Sequence, residues 1–315
     1  MLLVASLSLL LTGCSAGDWE KRLRFGWPTG VTDQGTRMRV LWTWAGVAAL
    51  ALGVVVWGLI FWCCIRYRKH QHDDNTALPR QTKYNLLIES IGVTLPFLII
   101  AVLFWRTVVV EDDVNHLSKN PDVRVQVDAF KWNWQFEYVE DHGNKLAYSA
   151  GDRQSGQALS TVGSDNEIPV LVIPVNQTVR IDEHSYDVIH SFWVPEFLFK
   201  RDVIPFFTDP GTGNDVTAND NQFEIVPTHL GTYVGRCAEL CGTYHAEMNF
   251  EVRVVTLTQF RAYMTQLRQI GSANLARQSL ALTRAKIPGG PVATTTVPFV
   301  TDRHSSVGQP PVRNP

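Results

Sequence analysis

Several common features are missing from this 315-residue chain, and each absence excludes a class of protein. No C-x-x-C-H motif occurs, so no haem c is covalently attached to the chain. There is no internal repeat, and therefore no sign of a repeat architecture. Charged residues are also absent from one long stretch, Ala45–Ile60. So long an uncharged run is hard to enclose in the core of a small soluble protein.

Two apolar stretches predict membrane-spanning helices. Residues 39–65 and 85–110 each reach the roughly 20 residues that are needed to cross the hydrocarbon layer. Charged and aromatic residues cluster toward their ends, as interfacial anchors do: Arg106, Glu89, Trp42, Trp44, Trp57, Trp62 and Trp105. The alternative is a buried helical hairpin of a soluble protein, which the uncharged run disfavours.

The loop at 66–84, between the two stretches, indicates the topology. Five basic residues outnumber two acidic ones in this loop, and short basic loops stay on the cytoplasmic side. Both termini and residues 111–256 then lie outside. The external segment at 15–38 is itself mildly basic, so the charge rule alone does not decide which side of the membrane it lies on. The first fourteen residues give a second, independent signal.

The first fourteen residues form a leader. An apolar run ends in Leu11-Thr12-Gly13-Cys14, which fits a bacterial lipoprotein cleavage box with lipidation at Cys14. An uncleaved apolar leader with an incidental cysteine is the alternative. An exported Cys14 agrees with an external N terminus, so the two signals together predict a multi-pass protein of a bacterial cell membrane.

Charge divides the chain as well. Residues 111–256 contain 23 Asp and Glu against 10 Lys and Arg, a formal charge of −13, whereas the whole chain carries −2. An acidic field of this size attracts basic partners in a salt-dependent way. A solvated acidic surface without a partner is the alternative.

Alternating apolar residues predict that residues 111–256 form an all-β domain. The alternation is clearest in two runs, namely Val123, Val125 and Val127, and then Trp132, Trp134, Phe136 and Tyr138. Several short strands with Gly, Pro and Asn turns between them favour a β-sandwich or a Greek-key barrel. Within residues 257–315, Thr258–Gln269 predicts an amphipathic helix, and the part beyond Pro288 predicts an extended tail.

One loop concentrates metal-binding side chains: Cys237-Ala-Glu-Leu-Cys241-Gly-Thr-Tyr-His245-Ala-Glu-Met248. Thiolate, imidazole and thioether groups select copper or another thiophilic metal. Structural zinc sites usually need a second, distant pair of ligands, which this loop lacks. A Cys237–Cys241 disulfide is possible in an oxidising compartment, but the neighbouring His245 and Met248 favour metal ligation.

His190, in Asp187-Val-Ile-His-Ser-Phe-Trp-Val-Pro195, is the best further ligand. A histidine among apolar residues is more often a hydrogen-bonded core residue when it is considered alone. Together with the Cys/His/Met loop, ligation becomes the favoured interpretation. Two cysteines, two histidines and a methionine suit two thiolate-bridged metal ions better than one.

These segments resemble subunit II of the haem-copper cytochrome c oxidases, over roughly residues 35–260. The resemblance implies a two-helix transmembrane hairpin and an all-β cupredoxin-like Greek-key barrel, followed by a C-terminal helix and an extended tail. It implies the binuclear copper centre CuA, with a Mg²⁺ ion that the Glu239 carboxylate faces at the junction with subunit I. The metal ligands that it implies are His190, Cys237, Glu239, Cys241, His245 and Met248.

The same resemblance gives roles to four other residues. Trp132 matches the surface tryptophan through which electrons arrive from cytochrome c, although a core aromatic on a strand is the alternative. Glu89 matches the mouth of a proton path into subunit I, and it could instead be merely interfacial. Asp187 and Asp202 match acidic docking positions near the copper and the subunit interface.

The implied function is that of a subunit of a proton-pumping terminal oxidase. Electrons from cytochrome c would pass to haem a of subunit I, where haem a3 and CuB reduce oxygen to water, with subunit III alongside. The lipoprotein box and the extra tail resemble actinobacterial versions, in which the membrane-bound di-haem cytochrome c of a bc complex, in a supercomplex, could replace a soluble donor. We expect no nucleic-acid partner.

Three other functions are weighed against this one. A copper-binding or copper-delivery membrane protein without redox turnover would hold a single exchangeable Cu(I) and would not need Trp132 or Glu89. Quinol oxidase subunit II shares the fold but lacks the copper ligands. Nitrous oxide reductase needs a large propeller domain, for which this chain has no room.

Overall fold

The computed structural model describes residues 27–68, 81, 83–139, 159–163, 168–205, 207–208, 215–216, 221–270 and 275–288. The predicted leader with Cys14, most of the loop at 66–84 and the tail beyond Pro288 lie outside these residues. The chain divides into two compact units. One spans Arg37–Asp113, and the other joins the residues up to Thr36 with those from Val114 onward.

Two helices, α1 (Asp33–Arg66) and α2 (Leu86–Asn115), contain the two apolar stretches. Each helix continues beyond its predicted stretch, chiefly because polar residues before Arg39 and after Val110 remain helical. At about 1.5 Å per residue, even the shorter helix is about 45 Å long, which exceeds a hydrocarbon layer of about 30 Å. Both are long and apolar enough to cross a membrane, and their most apolar windows are not buried within this chain. The prediction of two apolar helices is therefore confirmed.

An ion pair joins these two helices. The Nη1 atom of Arg37, near the start of α1, lies 2.7 Å from Oδ2 of Asp113, near the end of α2. Both side chains are about half exposed, so in water the pair would contribute no more than ~1 kcal/mol. Because the pair joins the start of α1 to the end of α2, the two helices form an antiparallel hairpin.

The second unit contains two five-stranded sheets. One has the strand order β10-β5-β1-β2-β3, and the other has the order β4-β12-β11-β6-β7. The strands are β1 (Val123–Phe130), β2 (Asn133–Val139), β3 (Leu159–Val162), β4 (Val170–Pro174), β5 (Val179–Ser185), β6 (His190–Val194), β7 (Phe199–Val203), β8 (Phe207–Thr208), β9 (Asp215–Val216), β10 (Gln222–Ile225), β11 (Gly231–Cys237) and β12 (Asn249–Val255). β1 runs parallel to β5 and β12 runs parallel to β4, whereas the other pairs are antiparallel. This arrangement confirms the predicted all-β, cupredoxin-like domain.

The apolar alternation read from the sequence lines the space between the sheets. On β2, Trp134, Phe136 and Tyr138 are essentially inaccessible to solvent. Trp134 packs edge-on against Phe250 of β12, with ring centroids 5.2 Å apart. A Cβ atom on Gly235 would lie 2.0 Å from the Phe250 ring, so only glycine fits at that position of β11. These contacts rigidify the strands that lead into and out of the Cys/His/Met loop.

Two helices close the described chain after the last strand. α3 (Leu257–Ile270) confirms the predicted amphipathic helix, and it buries Phe260, Tyr263, Met264 and Leu267. A further helix, α4 (Leu275–Arg284), lies between the predicted helix and the tail predicted beyond Pro288, where no helix was predicted. The Gln278 amide of α4 donates to the carbonyl oxygen of Val170 on β4, so α4 is part of the domain.

The segment before α1 is hydrogen-bonded to the β-domain. The N–H of Val31 donates to the oxygen of Glu196 at 3.0 Å, and the oxygen of Val31 accepts from Thr228 at 2.8 Å. Asp33 N–H donates to the oxygen of Val226 at 3.0 Å. The segment up to Thr36, which includes the first turn of α1, therefore belongs to the same compact unit as the β-domain.

Candidate metal centre

The candidate ligands come together at one end of the domain because three neighbouring strands carry them. β11 ends at Cys237, and β12 begins one residue after Met248. The intervening loop contains a 3-10 turn at His245–Glu247. β6 lies beside β11 in the sheet, with Cys237 opposite Phe192, and His190 begins that strand. Sheet order therefore brings a histidine that is 47 residues away in sequence to the cysteine.

Gly242 makes the compact loop possible. Its φ is +118°, a backbone conformation that side chains with a Cβ atom rarely adopt. The loop can therefore reverse sharply at this glycine.

The donor atoms of five side chains form one cluster. Cys237 Sγ lies 3.8 Å from Cys241 Sγ and 3.9 Å from Nδ1 of His190. Cys241 Sγ lies 3.6 Å from Nδ1 of His245 and 3.8 Å from Sδ of Met248. The carbonyl oxygen of Glu239 lies 3.3 Å from Cys237 Sγ. Each sulfur thus has two further donors beside it: His190 and Glu239 for Cys237, and His245 and Met248 for Cys241.

This set fits a thiophilic metal, and it fits two ions better than one. His190, Cys237 and Cys241 are all buried, and their donor atoms lie within 4.8 Å of one another. The two sulfurs are too far apart for a disulfide, whose S–S length is about 2.0 Å. Two soft sulfurs flanked on opposite sides by imidazole and thioether groups are the donors that copper prefers.

The two thiols share one proton in the metal-free site. The hydrogen bond with Cys241 lowers the pKa of Cys237 to about 4; burial opposes this effect and His190 adds to it. The same bond, together with burial, raises the pKa of Cys241. One thiolate, the form that binds metal, is therefore present at neutral pH before any metal arrives.

Asp187 orients His190. Its Oδ1 accepts a hydrogen bond from Nε2 of the imidazole at 2.8 Å, which leaves Nδ1 facing Cys237. Burial lowers the pKa of His190, but hydrogen bonds with Cys237 and Asp187 outweigh that effect and raise it. The pKa of Asp187 is lowered despite burial, because His190 and the N–H groups of Lys131 and Val188 donate to it. Such a carboxylate–histidine pair fixes the ring and its tautomer for a metal.

Trp132 contacts the loop directly. Its Nε1 donates to the carbonyl oxygen of Cys241 at 3.1 Å, and its ring is half-buried against Gly242. The ring centroids of Trp132 and Tyr244 are 5.0 Å apart, with the planes nearly perpendicular. The core position belongs to Trp134, which is fully buried and donates to the oxygen of Met248 at 3.2 Å. Of the two tryptophans, Trp132 is the one that links the surface to the loop.

Other predicted residues lie apart from this cluster. Glu89 is exposed near the start of α2, where its Oε1 accepts from the N–H of Asn85 at 3.2 Å. Because Asn85 Oδ1 in turn accepts from the N–H of Ile88, Glu89 also forms part of a reciprocal helix cap. Asp202 is half exposed and lies 3.6 Å from Lys200.

One feature of the site is not anticipated by the sequence analysis. Asp187 Oδ2 accepts from the backbone N–H of Lys131 at 2.7 Å, so the same carboxylate holds the turn before Trp132 and the candidate ligand His190. The spacing Asp-x-x-His is visible in the sequence, but the bond to Lys131 depends on how β1 and β5 pair.

Comparison with known proteins gives a consistent result. Residues 123–255 match the family described as cytochrome c oxidase subunit II, periplasmic domain. A probable cytochrome c oxidase subunit 2 of Nocardia farcinica is 42% identical over 340 residues, covering 94% of this chain and 86% of that protein. The cytochrome c oxidase subunit 2 of Mycobacterium tuberculosis is 40% identical over 345 residues, covering 98% and 90%. Among solved structures, the periplasmic domain of subunit II of cytochrome oxidase of Bradyrhizobium japonicum matches with a TM-score of 0.36 and 24% identity, covering 49% of this chain and 98% of that one.

Proposed function

Because this chain belongs to the cytochrome c oxidase subunit II family, we propose that it accepts electrons from cytochrome c at a two-copper centre and passes them to haem a of subunit I. Oxygen is reduced to water in subunit I, and proton pumping belongs to the assembled oxidase. The observation that carries this proposal is the cluster of two thiols, two imidazoles and a thioether at one end of the β-domain.

The donor atoms suggest how two ions would be held. Cys237 and Cys241 would hold the copper pair through their sulfurs. The remaining ligands would be His190, His245, Met248 and the carbonyl oxygen of Glu239. A copper pair bound in this way takes up and releases a single electron. The chain's own contribution is rigidity, because a fixed ligand cage barely changes shape between redox states.

Trp132 gives electrons a route to this cage from the protein surface. Its half-buried ring is joined by one hydrogen bond to the backbone of Cys241, which is a proposed ligand. Asp187 holds the preceding residue and His190 together, so the surface turn and the ligand cannot shift independently. Exposed acidic side chains of the β-domain, Asp187 and Asp202 among them, would attract a basic donor.

The membrane part supports a role in a larger assembly. We propose that α1 and α2 cross the bacterial cell membrane with the β-domain and both termini outside, as the basic loop at 66–84 favours. Glu89 would then lie at the cytoplasmic end of α2, at the mouth of a proton path into subunit I. The Glu239 carboxylate would face a Mg²⁺ ion at the junction with subunit I. Subunit III completes the expected set of partners.

The proposed donor is a c-type cytochrome, either soluble or membrane-bound. A membrane-bound di-haem cytochrome c of a bc complex would remain docked, whereas a soluble cytochrome would exchange. Lipidation at Cys14 would add a second membrane anchor.

Copper stoichiometry and electron paramagnetic resonance of the full-length chain in detergent test the proposal. We expect two coppers per chain and the spectrum of a mixed-valence pair that shares one unpaired electron. The Cys241→Ser variant should lose that spectrum, and the Cys63→Ser variant should retain it. One exchangeable copper per chain would instead favour a copper-delivery protein, and an intact Cys237–Cys241 disulfide would exclude the proposed centre.

A further inference from the structure

A buried carboxyl group in the β-domain takes no part in the metal cluster. Glu183, on β5, is only 6% exposed. Among the described residues, neither of its carboxylate oxygens has a hydrogen-bond partner. Buried polar groups in native proteins are nearly always paired, and an isolated buried carboxylate is especially unfavourable. Glu183 therefore needs an explanation that packing alone does not supply.

The surroundings of Glu183 favour its neutral form. It shares the inward face of β5 with Val179 and Ile181, as the two-residue period of a strand requires. Burial raises the pKa of Glu183 well above its usual value. Arg201 on β7 lowers that pKa, whereas Asp202 on β7 and the adjacent Asp182 raise it. One cation set against two carboxylates does not offset the effect of burial, so the surroundings favour the protonated form of Glu183.

The β7 strand connects this carboxyl group with the candidate ligand His190. Arg201 pairs with Phe192 of β6, and Val203 pairs with His190 itself. Arg201 therefore lies two residues, roughly 7 Å, along the sheet from the ligand position.

The β5 strand makes a second connection. Two residues after Glu183, the Ser185 hydroxyl donates to the oxygen of Val188 and accepts from the N–H of Asp187. Asp187 in turn holds His190. Glu183 is thus linked to His190 by a continuous path through Ser185 and Asp187, along which a change of charge at the metal site would act on Glu183.

A polar cavity is lined by residues that neighbour Glu183. Its volume is about 640 Å³, and Arg201, Asp202 and Asn221 are among its lining residues. The backbone N–H of Glu183 donates to the oxygen of Asn221 at 2.7 Å. The two β7 residues whose charges act on Glu183 are therefore the same residues that border the cavity.

We propose that Glu183 is a redox-linked proton site, which binds a proton as an electron enters the copper site and releases it as the electron leaves. This inference rests on the proposed function. One electron arrives from a reduced c-type cytochrome, and one solvated proton from bulk solvent forms an O–H bond on the Glu183 carboxylate. When the electron moves on, that O–H bond breaks and the proton returns to bulk solvent. The electron removes positive charge nearby, so the ionised form of Glu183 becomes less favourable.

The midpoint potential of the copper site, measured against pH in the copper-loaded full-length chain, tests the proposal. We expect the wild-type potential to fall as pH rises, since reduction binds a proton. The Glu183→Gln variant keeps the shape of the side chain without an ionisable proton, so its potential should be independent of pH. Glu137→Gln, on the outward face of β2, is the matched control and should retain the wild-type slope. A wild-type slope in Glu183→Gln, or a flat wild-type profile, would overturn the proposal.

A second measurement needs no copper. Infrared spectra of the reduced, copper-free full-length chain at neutral pH should show a protonated carboxyl band that Glu183→Gln lacks. If the two spectra agree in that region, Glu183 is ionised and the inference is wrong. Because this band does not depend on metal, a failure of the copper proposal and a failure of the Glu183 proposal would be told apart.

Discussion

At the scale of single residues, two tryptophans that lie two positions apart have different surroundings. Trp132 is half-buried and bonded to the backbone of Cys241, whereas Trp134 is fully buried among aromatic rings. Sequence alternation alone could not separate them, because both lie at positions of the same parity. β2 begins at Asn133 and pairs with β1 and β3, so Trp134 lies within the sheet and its side chain is in the core.

Replacing Trp132 with phenylalanine should slow oxidation of a reduced cytochrome c while leaving the copper spectrum nearly unchanged. We expect a loss of roughly tenfold or more in rate, equal to about 1.4 kcal/mol in activation free energy. Stopped-flow kinetics with parallel spectra would measure both quantities. Trp134→Phe, which removes the hydrogen bond to the oxygen of Met248, should change the spectrum instead. A Trp132→Phe variant with a normal rate would show that electrons arrive elsewhere.

Replacing Asp187 with asparagine should weaken copper binding without unfolding the domain. The neutral amide would hold His190 less firmly, and loss of such a supporting group typically costs 10–100-fold in metal affinity, an order-of-magnitude range. Competition with a copper chelator would measure the change, with Asp202→Asn as the control. Equal affinities for the two variants would mean that Asp187 acts only at the docking surface.

The ligand cluster was largely predictable at this scale, and the contacts that support it were not. Cys237, Cys241, His245 and Met248 lie close together in sequence, so a single turn can bring them together. His190 lies 47 residues before Cys237, and it was favoured as a ligand only in combination with the Cys/His/Met loop. The bond from Lys131 to Asp187 and the burial of Glu183 depend on pairing between distant strands, which the local pattern does not encode.

At the scale of secondary-structure elements, α4 is the main departure from the sequence prediction. The sequence pattern predicts one helix at Thr258–Gln269 and an extended tail beyond Pro288, and it assigns no element to the residues between them. Instead, Leu282 is buried, and Arg253 of β12, buried beside Glu251, donates to the oxygen of Pro288. The helix is amphipathic but only ten residues long, which is too short to be stable alone, so its stability comes from packing on the sheet.

Truncation after Ile270 should therefore destabilise the β-domain. It removes the buried side chains of Leu282 and Ile287, whose burial contributes about 1.5–3 kcal/mol each, and it exposes the Arg253–Glu251 pair. Thermal unfolding of the full-length chain and of this truncation would measure the loss. Truncation after Pro288 is the control and should unfold at the wild-type temperature. If both truncations unfold as wild type does, α4 contributes nothing to stability.

At the scale of the whole molecule, charge is distributed unevenly although the total is nearly neutral. Residues 111–256 have a formal charge of −13, and the rest of the chain compensates for most of it. Composition therefore conceals an acidic domain that would steer a basic partner. The sequence establishes this imbalance without any structure, but it does not identify the partner.

Raising ionic strength should slow electron transfer from a soluble cytochrome c. At 0.1 M salt the screening length is about 10 Å, so long-range attraction to the acidic domain weakens steadily above that concentration. Rates measured over a salt series would give the dependence. A rate that does not change with salt would indicate a donor that stays bound to the oxidase.

The position of β12 has a consequence for how the site is lost on heating. All seven residues of β12 are buried, and the strand is bonded to β11 on one side and to β4 on the other. Its amide hydrogens should therefore exchange with deuterated solvent among the slowest in the domain. Met248 directly precedes this strand, whereas Cys241 and His245 lie in the loop. On heating, the Cys241 and His245 side of the loop would therefore open before the Met248 side. Copper would then begin to dissociate before the β-sheets unfold.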